Sequence, residues 1–337
     1  MRPAVSVVMP NFNHARFLNA ALTAVTSQLH PGDELIVIDD ASTDSSVELI
    51  TKIIAGIPGA RLIRHETNMG ILATLNEGLM QAGNEYVCFP GADDIVASGT
   101  FDAALLLLRD HPEAGLCMGF VHVIDESGQL LGPLPTRTVL DRAGFLDKKR
   151  VAEELMRDDS WINGLTFYRT AVLREVGGFL QELSNFTDGF ACRAVAVRHG
   201  CCFVPQPFHL WRRSSLSLSS QEMVDMEHVE RIGRHTVQLM KTRYRADFPP
   251  GYASRWLGRW LFGARNYAIK SKQRRRWAGL LAAAERHGSV VNHMVQLFLA
   301  LLRLPKILSL FFAYRPYDIL AVVERRLLRR HSAIRPS

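Results

Sequence analysis

In the first hundred residues, short β-rich runs alternate with segments of helical period, and the runs give way to short polar side chains. Val5-Ser6-Val7-Val8-Met9 stops at Pro10-Asn11-Phe12-Asn13, and the helix expected over 15–28 carries Phe17, Leu18, Ala21, Leu22 and Val25 on one face. Glu34 to Ile38 is almost continuously apolar, the pattern of a strand covered on both faces of a parallel sheet, and it stops at Asp39-Asp40. Ser42, Thr43 or Asp44 is placed to cap a helix over 45–55. A third strand over 61–65 leads through Asn68-Met69-Gly70 into a helix ending near Gly83. A fourth over 85–89 runs into Pro90-Gly91-Ala92-Asp93-Asp94. Strand–helix–strand order with short links dictates right-handed crossovers and a mostly parallel sheet flanked by helices, an α/β fold. Ligands of such sheets bind beyond the carboxyl ends of the strands. There the sequence puts Asn11, Asn13, Asp39, Asp40, Asn68, Asp93 and Asp94.

That inventory restricts the chemistry. No G-x-x-x-x-G-K-[ST] and no G-x-G-x-x-G opens an early helix, so a phosphate cradled by backbone N–H groups is not indicated. Carboxylates repel a diphosphate unless a divalent cation lies between them. Mg²⁺ or Mn²⁺ suits, because Mg²⁺ commonly takes one or two protein carboxylates and completes its shell with water and phosphate oxygens. A metal so placed stabilises charge on a departing nucleoside diphosphate. The residues therefore point to breaking a bond to a nucleotide diphosphate and away from hydride transfer.

The run VSVVMPNFNHARFL…AVTSQ…DELIVIDDASTDSS…NMGILATLNEGL…YVCFPGADDI resembles the nucleotide-binding half of family 2 glycosyltransferases, the inverting enzymes of GT-A (Rossmann-like) fold. Gly177-Gly178-Phe179 with Phe186-Thr187-Asp188 is similar to a later segment of that family, so the resemblance covers roughly residues 4–220. It implies that Pro10, Asn11 and Phe12 line the base and ribose, that Asp40 with Asp39 beside it binds the base, and that Asn68 belongs to the same nucleotide-sugar site. It also implies Asp93 near the ribose, Asp94 with Asp93 on the metal, and Asp188 as the general base that deprotonates the acceptor hydroxyl. Three positions depart from the family pattern. Gly91 stands where many members carry Asp, Thr187 replaces a Glu before the base, and Trp211-Arg212-Arg213-Ser214 lacks the His of a Y-R-x-H segment. Arg212 or Arg213 is left as the candidate to face the diphosphate.

Each residue also has a plainer reading. Asp39-Asp40 and Asp93-Asp94 are suited to turns before helices, Asn68 to a turn, and Asp188 to the N-terminus of a helix over 188–199. Beyond the first hundred residues the pattern predicts a helix over 101–109 and strands over 116–124 and 161–168. A short helix follows over 171–176, and helices alone after about residue 220.

Composition matters chiefly for what it says about partners. With 47% hydrophobic and 22% charged residues the chain is that of a folded protein. The net charge of +7 is unevenly shared: Lys241 to Ser337 holds 20 Lys+Arg against four acids. The expected organisation is a glycosyltransferase domain over 1–220 and a basic, largely helical region over 221–337. The first divides into a nucleotide-binding half (1–115) and an acceptor half (116–220). KSKQRRR at 270–276 and the apolar stretch 294–314 suit a helix lying on an anionic membrane surface, or one packed on the main domain. No signal peptide, spanning helix, disulfide framework or nucleic-acid motif is expected, which implies a cytoplasmic protein, peripheral at the inner face of the cell membrane.

The functional expectation is transfer of a sugar from a UDP-, dTDP- or GDP-linked donor to a glycan or lipid-linked acceptor. The alternatives are a non-catalytic nucleotide-sugar-binding or scaffold protein and a nucleotidyltransferase. The second would need a Gly-rich basic loop where Pro10-Asn11-Phe12-Asn13 stands.

Overall fold

The computed structural model describes residues 1–134, 136–213 and 225–264. Two compact units divide the chain: residues 1–214 with 242–249, and residues 215–241 with 250–337. One segment beyond residue 220, 242–249, belongs with the first unit.

The first unit begins with the anticipated alternation: β1 (Val5–Asn11), α1 (Ala15–Thr26), β2 (Glu34–Asp39), α2 (Ser46–Ile54), β3 (Ala60–Arg64), α3 (Ile71–Gln81) and β4 (Tyr86–Cys88). It continues through β5 (Ile95–Val96), α4 (Thr100–Asp110), β6 (Leu116–Ile124), β7 (Leu130–Pro133), β8 (Gly144–Leu146) and α5 (Lys148–Arg157). Then follow β9 (Thr166–Arg169), α6 (Thr170–Glu175), a 3-10 segment over Gln181–Phe186, α7 (Thr187–His199) and β10 (Cys201–Arg212). Among the described residues these strands form one sheet of order β3-β2-β1-β4-β9-β6-β10-β5, with β7 beside β6 and β8 beside β10.

Strands β1 to β4 run parallel to one another, and β10 runs parallel to β6. β9 lies antiparallel between β4 and β6 and joins the two parallel groups. The α/β sheet with flanking helices is as the sequence predicts, while the antiparallel pairings of β5, β7, β8 and β9 make it mixed rather than mostly parallel. The strand expected over 161–168 is shorter and later, because Gly164 adopts φ +79 and turns the chain before β9.

The core follows from the periodicities. α1 buries Phe17, Leu18, Ala21, Leu22 and Val25, the face expected of it. β1 and β2 are apolar on both sides, so Val5, Val7, Val8, Leu35, Ile36 and Val37 are all inaccessible. Each side chain of this size contributes about 1.5–3 kcal/mol by leaving water. Phe167 of β9 is edge-on to Phe101 of α4 (centroids 5.4 Å) and to Phe208 of β10 (6.0 Å), which knits the antiparallel insertion to both groups. The five cysteines are buried and unpaired with one another.

The returning segment 242–249 is anchored by Tyr244. Its hydroxyl donates to Val176 O at 2.6 Å and its ring packs edge-on to Phe190 at 5.0 Å. In the second unit, α8 (Met226–Lys241) buries Val229, Ile232, Thr236 and Met240 at helical spacing. It approaches the helix over 252–264 through Gly233, where a Cβ would lie 2.8 Å from Leu257. Among the described residues no helix is long and apolar enough to cross a membrane. The stretches 270–276 and 294–314, read as a membrane-surface helix, lie outside the described residues.

Candidate active site

The carboxyl ends of β1 and β2 are locked side by side. Asn11 pairs with Asp39 in the strand register, and Asn11 Nδ2 donates to Asp39 Oδ2 at 2.7 Å and to Ser42 Oγ at 3.1 Å. Asp39 Oδ1 accepts from the Ser42 N–H at 3.0 Å. Asn13, at φ 57, accepts through Oδ1 from the Thr43 N–H at 2.8 Å, so the two loops close on each other. Asp44 accepts from the N–H of Ser46 at the start of α2 and from that of Ala15 at the start of α1. These bonds leave one buried acceptor, Asn11 Oδ1, without a partner at the floor of the crevice. Phe12 is exposed beside it, and Pro10 is half-buried.

The second aspartate of the pair does something else. Asp40 Oδ1 accepts from the Met69 N–H at 2.7 Å and faces His65 Nδ1 at 2.7 Å. Its Oδ2 accepts from the Gly70 N–H at 2.9 Å. Both oxygens thus hold the loop between β3 and α3. Asn68 Oδ1 accepts from the Gly70 N–H at 3.1 Å, the plain turn role.

His65 sits between two carboxylates, its Nε2 2.7 Å from Glu77 Oε2. Burial opposes its charge, but the hydrogen bonds and charges of Asp40 and Glu77 outweigh it and raise the imidazole above its ordinary value. A raised folded value means that this contribution to stability is complete below pH 6.5 and is lost as pH rises through the folded value. Thermal unfolding followed across that window should show a fall in Tm that His65→Gln flattens. His122 and His199, pushed down by burial, act below pH 6.5, but the Asp94 carboxyl, pushed up to about 8, adds its own fall, so the comparison is made in an Asp94→Asn background.

Asp93 and Asp94 lie in the loop between β4 and β5. Asp94 Oδ1 accepts from the Arg212 N–H at 2.7 Å. Burial, and then the adjacent Asp93 charge, push the Asp94 carboxyl up to about 8 against the opposing pull of Arg212. Two neighbouring carboxylates, one of them buried, are an electrostatic deficit that a cation would relieve. Gly91 makes the arrangement sterically open, since a Cβ there would stand 3.0 Å from Asp93 Oδ1 and 3.2 Å from Asp94 Oδ2. Among the described residues no group of three or more His, Cys, Asp or Glu forms a protein-only metal cage. The donor set fits Mg²⁺ or Mn²⁺ held by one or two carboxylates and completed by diphosphate oxygens and water.

Arg212 is engaged by main-chain carbonyls. Its guanidinium donates to the carbonyls of Asp93, Asp125 and Glu126 and lies 4.4 Å from the Phe17 ring centroid. It clamps the β4–β5 loop to the turn between β6 and β7 and to α1.

Asp94 opens into a cavity of about 460 Å³ whose lining includes Phe89, Phe179, Asp188, His209 and Trp211. Asp188 begins α7. Its side chain meets the solvent of the cavity while the dense protein around it raises its carboxyl above the ordinary value, opposed by the Gly189 N–H and by Arg193. Arg193 is held by a buried pair with Asp159 at 2.9 Å. The preceding Thr187 is buried with its Oγ1 unpartnered. Gly177-Gly178-Phe179 has a positioning role. Gly178 (φ +65) lies so close to α3 that a Cβ would be 2.7 Å from Asn76 Oδ1, and Asn76 exchanges hydrogen bonds with both main-chain groups of Phe179. Phe179 then meets Phe89 edge-on at 4.9 Å. Asn76 falls inside the NMGILATLNEGL run without being singled out there, whereas His209 carries no motif and only its place in space brings it to the site.

Residues 6–175 match the family described as glycosyl transferase family 2. An uncharacterized glycosyltransferase of Haemophilus influenzae is 36% identical over 110 residues, 32% of this chain and 44% of its own length. A poly-beta-1,6-N-acetyl-D-glucosamine synthase of Staphylococcus epidermidis is 26% identical over 177 residues, 51% of this chain and 41% of its own. The chain thus spans about half the length of the curated relatives it matches. The structure of the mannosyltransferase PcManGT from Pyrobaculum calidifontis, in complex with GDP-Man and Mn²⁺, superposes with a TM-score of 0.53 at 20% identity. That match covers 96% of this chain and 87% of that one, and it shows a shared fold.

Proposed function

The chain belongs to glycosyl transferase family 2, and from that premise we propose that it moves a sugar from a nucleoside diphosphate to an acceptor hydroxyl with inversion. The observation that carries the reading is a single cavity lined by both Asp94 and Asp188. One carboxylate is suited to the leaving-group side and the other to the attacking side. Support also comes from the relative that is a polysaccharide synthase and from the structural neighbour bound to GDP-Man and Mn²⁺.

In this reading Pro10, Asn11 and Phe12 line the nucleoside, with Asn11 Oδ1 as an acceptor for its N–H or O–H groups. Asp39 fixes Asn11, while Asp40 shapes the same end by pinning the loop that carries Asn68. Asp93 and Asp94 hold Mg²⁺ or Mn²⁺, which when bound would neutralise charge on the departing diphosphate. Asp188 takes the proton of the acceptor hydroxyl as that oxygen attacks the anomeric carbon. Its raised value brings a carboxyl closer to the operating pH, where general-base catalysis is most effective. The apolar walls around it exclude competing water. A growing cell-surface polysaccharide or lipid-linked glycan is the acceptor class we favour, reached at a membrane face through the basic residues of 241–337.

A panel of UDP-, GDP- and dTDP-sugars with Mn²⁺, read by calorimetry and by release of nucleoside diphosphate, tests the reading. At least one donor should bind and turn over. Binding of none at any metal concentration refutes it, and binding without turnover to any glycan acceptor favours a non-catalytic nucleotide-sugar-binding protein.

A further inference from the structure

His209 is buried at the edge of the cavity, and three independent elements fix its ring. Its strand pairs with β5 at Val96 and with β6 at Val121, so the backbone is held on both sides. The Leu165 N–H donates to His209 Nδ1 at 3.0 Å. Gly164, at φ +79, leaves room for the ring, since a Cβ there would stand 2.7 Å from His209 Cε1 and 2.3 Å from Val121 Cγ2.

A backbone N–H can only donate, so Nδ1 must present its lone pair, and the proton of the neutral imidazole resides on Nε2. Nε2–H lies on the side of Asp94, 3.9 Å from Asp94 Oδ2. That distance is too long for a hydrogen bond. A fixed donor and a carboxyl group that accepts once ionised thus stand 3.9 Å apart across a gap at the cavity wall. An N–H in this tautomer has no lone pair for a metal. A hydroxyl group fits such a gap because it accepts from one side and donates to the other.

We propose that His209 is a specificity-determining residue that donates from Nε2 to a hydroxyl of the transferred sugar, at the end of the cavity near Asp94. The inference rests on the sugar-transfer reading above. A sugar lacking that hydroxyl would leave the Nε2–H unpaired in a largely desolvated site, which is how a polar contact discriminates between substrates.

The test uses the full chain and the sugar nucleotide that the wild type binds from the donor panel. His209→Asn is the informative variant, because its Oδ1 can still accept from the Leu165 N–H while the reaching donor is gone. His209→Phe removes both. Each variant is measured by calorimetry against the sugar nucleotide, against the matching nucleoside diphosphate, and for Mn²⁺ dependence. The expected result is at least a tenfold weaker Kd for the sugar nucleotide in both variants. Affinity for the nucleoside diphosphate and the Mn²⁺ midpoint should stay within twofold, which also reports an intact fold.

Equal weakening of both nucleotides, or a shifted Mn²⁺ midpoint, would place His209 on the diphosphate or the metal and overturn the proposal. Unchanged sugar-nucleotide affinity in His209→Asn would overturn it as well. A wild type that binds none of the panel fails earlier and refutes the transfer reading itself.

Discussion

Asp94→Asn is expected to abolish turnover of the sugar nucleotide, with kcat falling by at least about 10²–10³-fold, the loss seen when one preorganised charge-stabilising group is removed. Asn keeps the shape and still accepts the Arg212 N–H, which Asp94 Oδ1 receives at 2.7 Å. What it loses is the anionic oxygen beside Asp93. The same substitution should leave the metal-free protein more stable than the parent at pH 8. The Asp94 carboxyl is pushed up to about 8 from an ordinary 3.8. With a folded value above the unfolded one, its contribution to stability is complete below pH 4 and is lost as pH rises through 8. Asn has no such ionisation. Thermal melts with chelator at pH 5 and pH 8, beside donor hydrolysis with saturating Mn²⁺, check both halves. A variant that keeps more than a tenth of parental turnover would remove Asp94 from the leaving-group role.

Asp188→Asn should cut transfer by about 10²–10⁴-fold, the usual worth of a general base, while the affinity for the sugar nucleotide stays within about twofold. The two effects separate because Asp188 opens the first turn of α7, on a different element from the β4–β5 loop that carries Asp94. The acidic limb of kcat/KM offers a second readout. Asp188 must be ionised to accept a proton, and the dense protein around it raises its carboxyl above the ordinary value. Activity should therefore rise with pH through a value above that of a free aspartate, and the variant should lose this limb. Undiminished transfer would mean that Asp188 is only the N-terminal charge of its helix.

The early α/β half was legible because local pattern and global position agree there. The buried face of α1 and the paired ends of β1 and β2 follow from a 3.6-residue period and from near-continuous apolar runs. β10 left no such signal. Pro205 and Pro207 read against a strand interior, and the register shifts around Pro207 show how the sheet accommodates them. That strand carries His209, Trp211 and Arg212 to the site, so the residues hardest to foresee are those its unexpected course delivers.

By itself the sequence determined the alternation that makes the sheet, the small polar residues at its carboxyl edge, and the aspartates available for a cation and a base. Those are local facts, set by period and by residue type. Only the tertiary structure decided how the partners are shared out. Asp39 is bound to Asn11, and Asp40 to the loop that follows the next strand. The Arg212 guanidinium goes to backbone carbonyls. Whether a carboxylate faces a ligand or a neighbouring N–H depends on which distant segments the packing brings within about 3 Å, the reach of a hydrogen bond, and no spacing along the chain encodes that.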